Sequence, residues 1–364
     1  MMHAPANIIL FALYGFPCHH LTPKAFLIKI RSPRAKIFIY PETQCDLVNQ
    51  GATAKAGRSA VIRAYIDLTR LHFGFAWPIL FCSGLMLAFA MEGGFDWVTL
   101  LKGILIGFLG FEAGFVLNDY VDRELDKKDV EGRLTNYWRP FKERPLASGL
   151  VSGRQASTLF FILVALTVLL ILTLPYPNSL YLLVLLVYCY GVEYFYQVHK
   201  REQKYPIAQL LGRTDFALFP VAGYLMVGEP GTTVLLYFLF FYPFAEAHLG
   251  ANDLIDVEND KARGMRSVTV LYGVDGTVRW IMLFTAAHFV TATIFALYLG
   301  WYVLIGFAIG FVLLVIANRA IRKGMTPEAT MKVLPMFHVT MLVYSLTLII
   351  VAALSIHYGI ELGL

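Results

Sequence analysis

Apolar residues run in blocks of about 20 along most of this chain, with polar and charged residues gathered at the joins. A helix rises about 1.5 Å per residue, so each block is long enough to cross the roughly 30 Å hydrocarbon core of a bilayer. Nine transmembrane helices are predicted in this way, over 62–91, 97–117, 153–174, 179–196, 206–227, 232–252, 277–298, 300–318 and 336–358. The expected fold class is therefore all-α, a polytopic membrane protein. Residues 1–58 precede the first block and carry Lys24, Lys29, Arg31, Arg34 and Lys36 before their first acid, Glu42. They read as a flexible cytoplasmic N-terminal extension, with residues 59–364 as the transmembrane domain.

Composition agrees, since 58% of the 364 residues are hydrophobic and only 15% are charged, which excludes an ordinary soluble domain. The 30 Lys and Arg residues fall almost wholly before helix 1 and between helices 2 and 3, 4 and 5, 6 and 7, and 8 and 9. The alternate joins "PYPNS" (175–179) and "GEPGTT" (228–233) have none. By the positive-inside rule the N-terminus and the basic joins face the cytoplasm and the C-terminus lies outside. The net charge of +5 thus reflects topology and a basic surface beside the bilayer, not a nucleic-acid partner. The four cysteines lie far apart without CxxC spacing, which argues against a disulfide framework or a zinc site.

One feature of the pattern occurs twice. EAGFVLNDYVDRELD (112–126) and EAHLGANDLIDVEND (246–260) share Glu, Ala, Asn, Asp, Asp, Glu and Asp in register. At about 100° per residue, Asp119, Asp122 and Asp126 fall within an arc of about 60° on one helix face, and Asp253, Asp256 and Asp260 repeat the spacing. Two like charges about 4 Å apart repel by about 4 kcal/mol at an effective dielectric near 20. Cations between the carboxylates would relieve that cost. Carboxylates without nearby Cys or His suit hard divalent ions, and Mg²⁺ commonly completes its shell with water and substrate phosphates. The pattern points to a Mg²⁺–diphosphate site.

Other candidates surround these triads. Glu112 and Glu246 lie on the same faces about 10 Å deeper, where an ionisable group is costly and a functional candidate; binding an acceptor, taking a proton and pairing with Arg213 are all open to them. Tyr196, Lys200 and Arg201 end helix 4, while Lys142 and Arg144 precede helix 3 and Lys261, Arg263 and Arg266 follow the second triad. These cations suit an anionic substrate. Tyr188, Tyr190, Tyr194, Phe240, Phe241 and Tyr242 supply aromatic faces for a greasy tunnel. Among the scattered histidines, His248 stands out, a turn before Asp253.

NDxxDxxxD at 118–126, DxxDxxxD at 253–260, YxxxK at 196–200 and RPLASG at 144–149, set among nine helices, together resemble the UbiA superfamily of intramembrane prenyltransferases over residues 60–358. The resemblance implies a helical bundle around a central cavity, with Mg²⁺ held by Asp119, Asp122, Asp126, Asp253, Asp256 and Asp260 at a cytoplasmic mouth. It implies catalysis by Asp119, Asp122, Asp253, Asp256 and Lys200, and binding of an isoprenyl diphosphate donor by Asn118, Arg123, Lys142, Arg144, Tyr196, Lys200, Arg201 and Arg266. A lipophilic acceptor would meet the allylic cation inside the bilayer, with Glu112 and Glu246 as the candidates for holding it.

Two positions depart from the family pattern. Hydroxybenzoate-type members usually place an Arg seven residues before the motif Asn, where this chain has Phe111, which argues against a benzoate acceptor. The stretch from Asp126 to Arg144 is longer than usual and suggests a different lid. "DVENDKARGMRS" resembles members that make archaeal-type ether lipids or quinones. Rival readings are a membrane terpene cyclase of the same superfamily and a cation transporter built on repeats. A CDP-alcohol phosphotransferase is disfavoured because its Gly- and Arg-containing spacing between Asp residues is missing.

Overall fold

A computed structural model describes residues 57–362, among which there are thirteen α-helices and no strand. All but two residues of the expected N-terminal extension lie outside the described residues. The helices are α1 (Arg58–Leu68), α2 (Ala76–Glu92), α3 (Trp97–Asp122), α4 (Arg133–Trp138), α5 (Gly153–Leu172), α6 (Asn178–His199) and α7 (Ile207–Gly212), followed by α8 (Thr214–Tyr224), α9 (Thr232–Ile255), α10 (Val257–Arg263), α11 (Val268–Leu299), α12 (Leu304–Gly324) and α13 (Pro327–Tyr358). Eight of the described helices, two of them with a short 3₁₀ lead-in, are long and apolar enough to cross a membrane: α2, α3, α5, α6, α9, α11, α12 and α13. The protein is an integral, multi-pass membrane protein.

The fifth predicted crossing is not a single helix. It divides into α7 and α8 at Gly212–Arg213, and its path is fixed by what it touches. Asn178, at the start of α6, donates from Nδ2 to the carbonyls of Leu225 and Gly228, each at 3.0 Å, whereas Gln203, just beyond α6, accepts from the backbone N–H of Ala208 at 2.9 Å. The pair α7–α8 therefore runs antiparallel along the whole of α6. The first prediction also shifts. Arg70 takes a left-handed conformation (φ 49°) that breaks the block, so α1 stands apart and the apolar span begins at Leu71.

Local signals set several ends. Asp96 accepts from the Thr99 N–H at 2.7 Å, Ser152 and Gln155 form a reciprocal capping box, and Thr326 caps α13 ahead of Pro327. Each satisfies donors that a helix start leaves unpaired. The interior packs through small residues as well as aromatic ones. A methyl added at Gly84 of α2 would come within 1.9 Å of the Pro220 carbonyl oxygen of α8, and one at Gly223 within 1.9 Å of the Phe81 carbonyl oxygen. Such backbone approach is open only to glycine. Gly84→Val is expected to destabilise the bundle by about 1–3 kcal/mol through overpacking, seen as a lowered thermal midpoint in detergent; an unchanged midpoint would show that α2 and α8 have room to part.

The two motif helices occupy matched positions. Helix α3 packs on α5 and α9 on α11, while α3 and α9 have no extensive contact with each other. Between them lies a cavity of about 240 Å³, to which α3 contributes Phe111, Phe115 and Asn118 and α9 contributes Phe244, His248 and Asn252.

Candidate active site

Each triad begins at the end of its helix and continues past it, so carboxylates emerge beside the motif asparagines that line the cavity. All six are buried, none more than 9% exposed. Buried charge at this density requires counter-ions. Asp119 receives both carboxylate contacts from Arg139, at 2.7 and 2.9 Å, and a third from Arg70 at 2.9 Å. Asp122 pairs with Lys200 at 3.0 Å and Arg201 at 3.1 Å. Asp126 pairs with Arg144 at 2.8 Å and Arg263 at 3.4 Å, and Arg263 also reaches Asp256 at 3.3 Å. The first triad is fully paired.

The second triad is not. Among the described residues Asp253 and Asp260 have no cation in contact. Asp253 instead accepts from the Val268 N–H at 2.8 Å, closing the start of α11. Burial, and then the adjacent Asp256, push the Asp260 carboxyl up to about 7. Burial also raises Asp126, against the pull of Arg144 and Arg263. A further cation would gain most beside Asp253 and Asp260, where negative charge is least compensated.

No three His, Cys, Asp or Glu side chains among the described residues converge closely enough to cage one ion. The donor set nonetheless fits Mg²⁺, because only carboxylate oxygens are offered and Mg²⁺ is usually held by one or two of them plus water and phosphate oxygens. The arrangement suits an ion shared with a diphosphate better than a site made by protein alone.

The long join between α3 and α5 forms an ordered cap over these groups. Asn259 of α10 accepts from the Val130 and Glu131 N–H groups at 2.9 and 3.0 Å, and buried Asp67 of α1 accepts from those of Phe141 and Glu143, both at 2.9 Å. Arg144 and Arg263 bind Asp129 within the same join. The cap delivers Arg139 to Asp119 and Trp138 to the cavity wall.

Most of the residues singled out in the sequence are brought together, and some are not. Asn118 donates to Glu193 at 2.8 Å and lines the cavity. Tyr196 is buried, with Lys200 Nζ at 4.7 Å and Arg213 Cζ at 5.1 Å from its ring centre. Arg123 turns back on its own helix, donating to the Tyr120 carbonyl at 2.6 Å, while Lys142 and Arg266 are exposed. None of these three touches a motif carboxylate, because each sits on the outward side of its segment. Glu112 and Glu246 are 1% and 0% exposed, their carboxylate oxygens have no hydrogen-bond partner among the described residues, and neither lines the cavity. Arg213 lies 3.7 Å from Glu193, the nearest salt-bridge partner it has among the described residues.

Arg70, Arg139 and Glu193 were not identified as site residues by motif spacing. Their only sequence signal is position: Arg70 at the edge of an apolar block, Arg139 inside an unusually long join, and Glu193 within an apolar helix. Above the carboxylates the cavity is aromatic. Phe111 stacks flat on Trp77 at 3.8 Å and 7°, and meets Phe115 and Phe219 edge-on.

Residues 75–341 match the UbiA prenyltransferase family. The 4-hydroxybenzoate octaprenyltransferase of Vibrio atlanticus is 29% identical over 216 residues, 58% of this chain and 70% of that protein. The protoheme IX farnesyltransferase of Francisella tularensis is 28% identical over 242 residues, 65% of this chain and 80% of that one. Among solved structures, a UbiA homologue from Archaeoglobus fulgidus bound to DMAPP and Mg²⁺ superposes with a TM-score of 0.59 at 16% identity, covering 79% of this chain and 99% of that one. A digeranylgeranylglyceryl phosphate synthase gives 0.56 at 22% identity, covering 80% and 98%. The structural likeness establishes the fold, and the family match extends over most of the chain and through both Asp triads. The protein is a member of the UbiA prenyltransferase family.

Proposed function

We propose that this protein transfers an isoprenyl group from a prenyl diphosphate to a lipophilic acceptor within the bilayer and releases diphosphate. The observation that carries this reading is the arrangement of two buried Asp triads, interleaved with Arg and Lys side chains, directly after the Asn118 and Asn252 that line an aromatic cavity. Mg²⁺ bound by Asp119, Asp122, Asp126, Asp253, Asp256 and Asp260 would supply charge neutralisation of the diphosphate. The protein's own groups do the rest. Lys200 and Arg201 sit where they can turn from Asp122 towards the leaving group as its charge builds, with Tyr196 beneath Lys200. Arg144, anchored to Asp126, takes the same part from the cap.

The aromatic faces of Trp77, Phe111 and Phe115 stabilise an allylic cation and keep water away from it. Phe111 fills the place where a benzoate-binding Arg would stand, and it stacks on Trp77 and offers no charge itself. That substitution favours an acceptor of quinone-precursor or ether-lipid type over a benzoate. Glu112 and Glu246 do not line the cavity, and we assign them to acceptor selection from their matched burial, with no hydrogen-bond partner among the described residues. The distribution of basic joins supports an orientation with the carboxylates on the cytoplasmic side, the N-terminus inside and the C-terminus outside.

Full-length protein in nanodiscs, given geranylgeranyl diphosphate, Mg²⁺ and candidate acceptors, is expected to form a prenylated acceptor and diphosphate, with neither appearing in EDTA. A cyclic hydrocarbon as the main product would instead establish the cyclase alternative. Mg²⁺ flux into proteoliposomes that ignores the diphosphate would establish a transporter.

A further inference from the structure

Two histidines from distant parts of the chain meet in the cavity wall. His248 of α9 and His338 of α13 both line it, and their Nε2 atoms are 2.9 Å apart. The Nδ1 of His338 is 2.7 Å from the phenolic oxygen of Tyr137, at the end of α4 in the cap. The Tyr137 ring also stacks on His338 at 5.5 Å and 19°. Asn252 Nδ2 lies 3.4 Å from His248 Nδ1 and donates to the His248 carbonyl at 3.2 Å. The result is an unbroken hydrogen-bonded line, His248–His338–Tyr137, from the cavity into the cap.

Facing Nε2 atoms at this distance constrain each other, because one must carry the hydrogen and the other offer its lone pair. Suppose His248 donates from Nε2. His338 then holds its hydrogen on Nδ1 and donates to Tyr137, and the Nδ1 of His248, with Asn252 Nδ2 3.4 Å away, is left as a base. Protonating that atom shifts the Nε2 proton to His338, and the His338 Nδ1 proton to the Tyr137 oxygen as Tyr137 passes on its own. Each ring ends neutral with its tautomer reversed. Burial pushes the Tyr137 phenol up to about 12, which keeps it an O–H that passes a proton on and does not hold charge. Asp and Glu are absent from this line, while Glu193, Arg213, Asp215 and Arg70 line the same cavity elsewhere.

We propose that His248 is the base that takes the acceptor's proton during prenyl transfer, with His338 and Tyr137 as positioning residues that carry it out of the cavity. This rests on the transferase reading above. In that reaction the donor C–O bond breaks with its electron pair on the diphosphate, and the acceptor oxygen or ring carbon bonds to the allylic carbon. The hydrogen on that acceptor atom leaves as a proton to His248 Nδ1, and Tyr137 returns one to water. No further oxidant or co-reactant is needed.

The test uses full-length protein in nanodiscs with Mg²⁺ and geranylgeranyl diphosphate, with 4-hydroxybenzoate and a glyceryl phosphate ether lipid as probe acceptors. His248→Gln is expected to lower kcat about 100-fold, the usual scale for a lost general base, with the donor KM within twofold. His248→Ala should recover at least tenfold with added imidazole, and His338→Gln and Tyr137→Phe should enlarge the solvent deuterium effect on kcat. A loss under threefold, or no imidazole recovery, overturns the proposal. If the unaltered protein consumes donor but prenylates no probe, the transferase reading is what fails. The line is then decided by ¹⁵N spectra of His-labelled protein. Tyr137→Phe should shift the ring nitrogens of both His338 and His248, and an unmoved His248 signal overturns the relay.

Discussion

Asp256→Asn is expected to reduce turnover of a prenyl diphosphate by at least about 1,000-fold, the scale on which metal-held charge stabilisation acts. The substitution keeps the size of the side chain but removes its charge. Among the described residues Asp256 has one cationic neighbour, Arg263 at 3.3 Å, which keeps Asp126 and Asp129 as partners when the charge is gone. Folding should therefore survive, with a thermal midpoint within a few degrees of the unaltered protein. The assay follows diphosphate release with saturating Mg²⁺, and circular dichroism checks the bundle. Activity within tenfold of normal would remove the second triad from the metal assignment. Asp253 makes a useful contrast, since its carboxylate also closes the start of α11, so Asp253→Asn should cost both turnover and stability.

Arg139→Leu is expected to produce the largest loss of stability, about 3 kcal/mol in the absence of metal. Arg139 is 2% exposed and contacts both oxygens of Asp119, which is also 2% exposed, so its removal leaves a buried carboxylate supported, among the described residues, by Arg70 alone. Breaking a buried pair costs about 3–5 kcal/mol because the surviving charge is uncompensated, and the remaining contact with Arg70 places this case at the lower end. Added Mg²⁺ should recover part of the loss by taking the place of the missing cation. Thermal unfolding in detergent with and without Mg²⁺ measures both. A loss below 1 kcal/mol would mean that the cap does not depend on this contact.

Much of the site was visible in the chain because it follows from helix periodicity. The spacing of Asp119, Asp122 and Asp126 by three and four residues puts them on one face whatever the helix packs against, and its repetition at Asp253, Asp256 and Asp260 marks a matched second helix. Lys200 was found by the same reasoning, one turn beyond Tyr196. Arg123, Lys142 and Arg266 show where it stops. They are near the triads in sequence, yet the angle at which each leaves its backbone turns it outward. Charge in a join is common on the cytoplasmic side of any membrane protein, so proximity alone does not pick out a contact.

The sequence by itself determined the lengths of the apolar blocks, the all-helical membrane architecture, the duplicated carboxylate faces and, through them, the family. These are local properties, decided within a turn or two of helix. Only the tertiary structure decided which cations meet those carboxylates and what lines the cavity between them. Arg70 and Arg139 reach Asp119 across 49 and 20 residues, His248 meets His338 across 90, and Tyr137 meets His338 across 201. Such pairings depend on which helices become neighbours and how they are rotated. Those choices are made by packing, such as the glycine contact of α2 with α8, and no periodicity within a single segment records them.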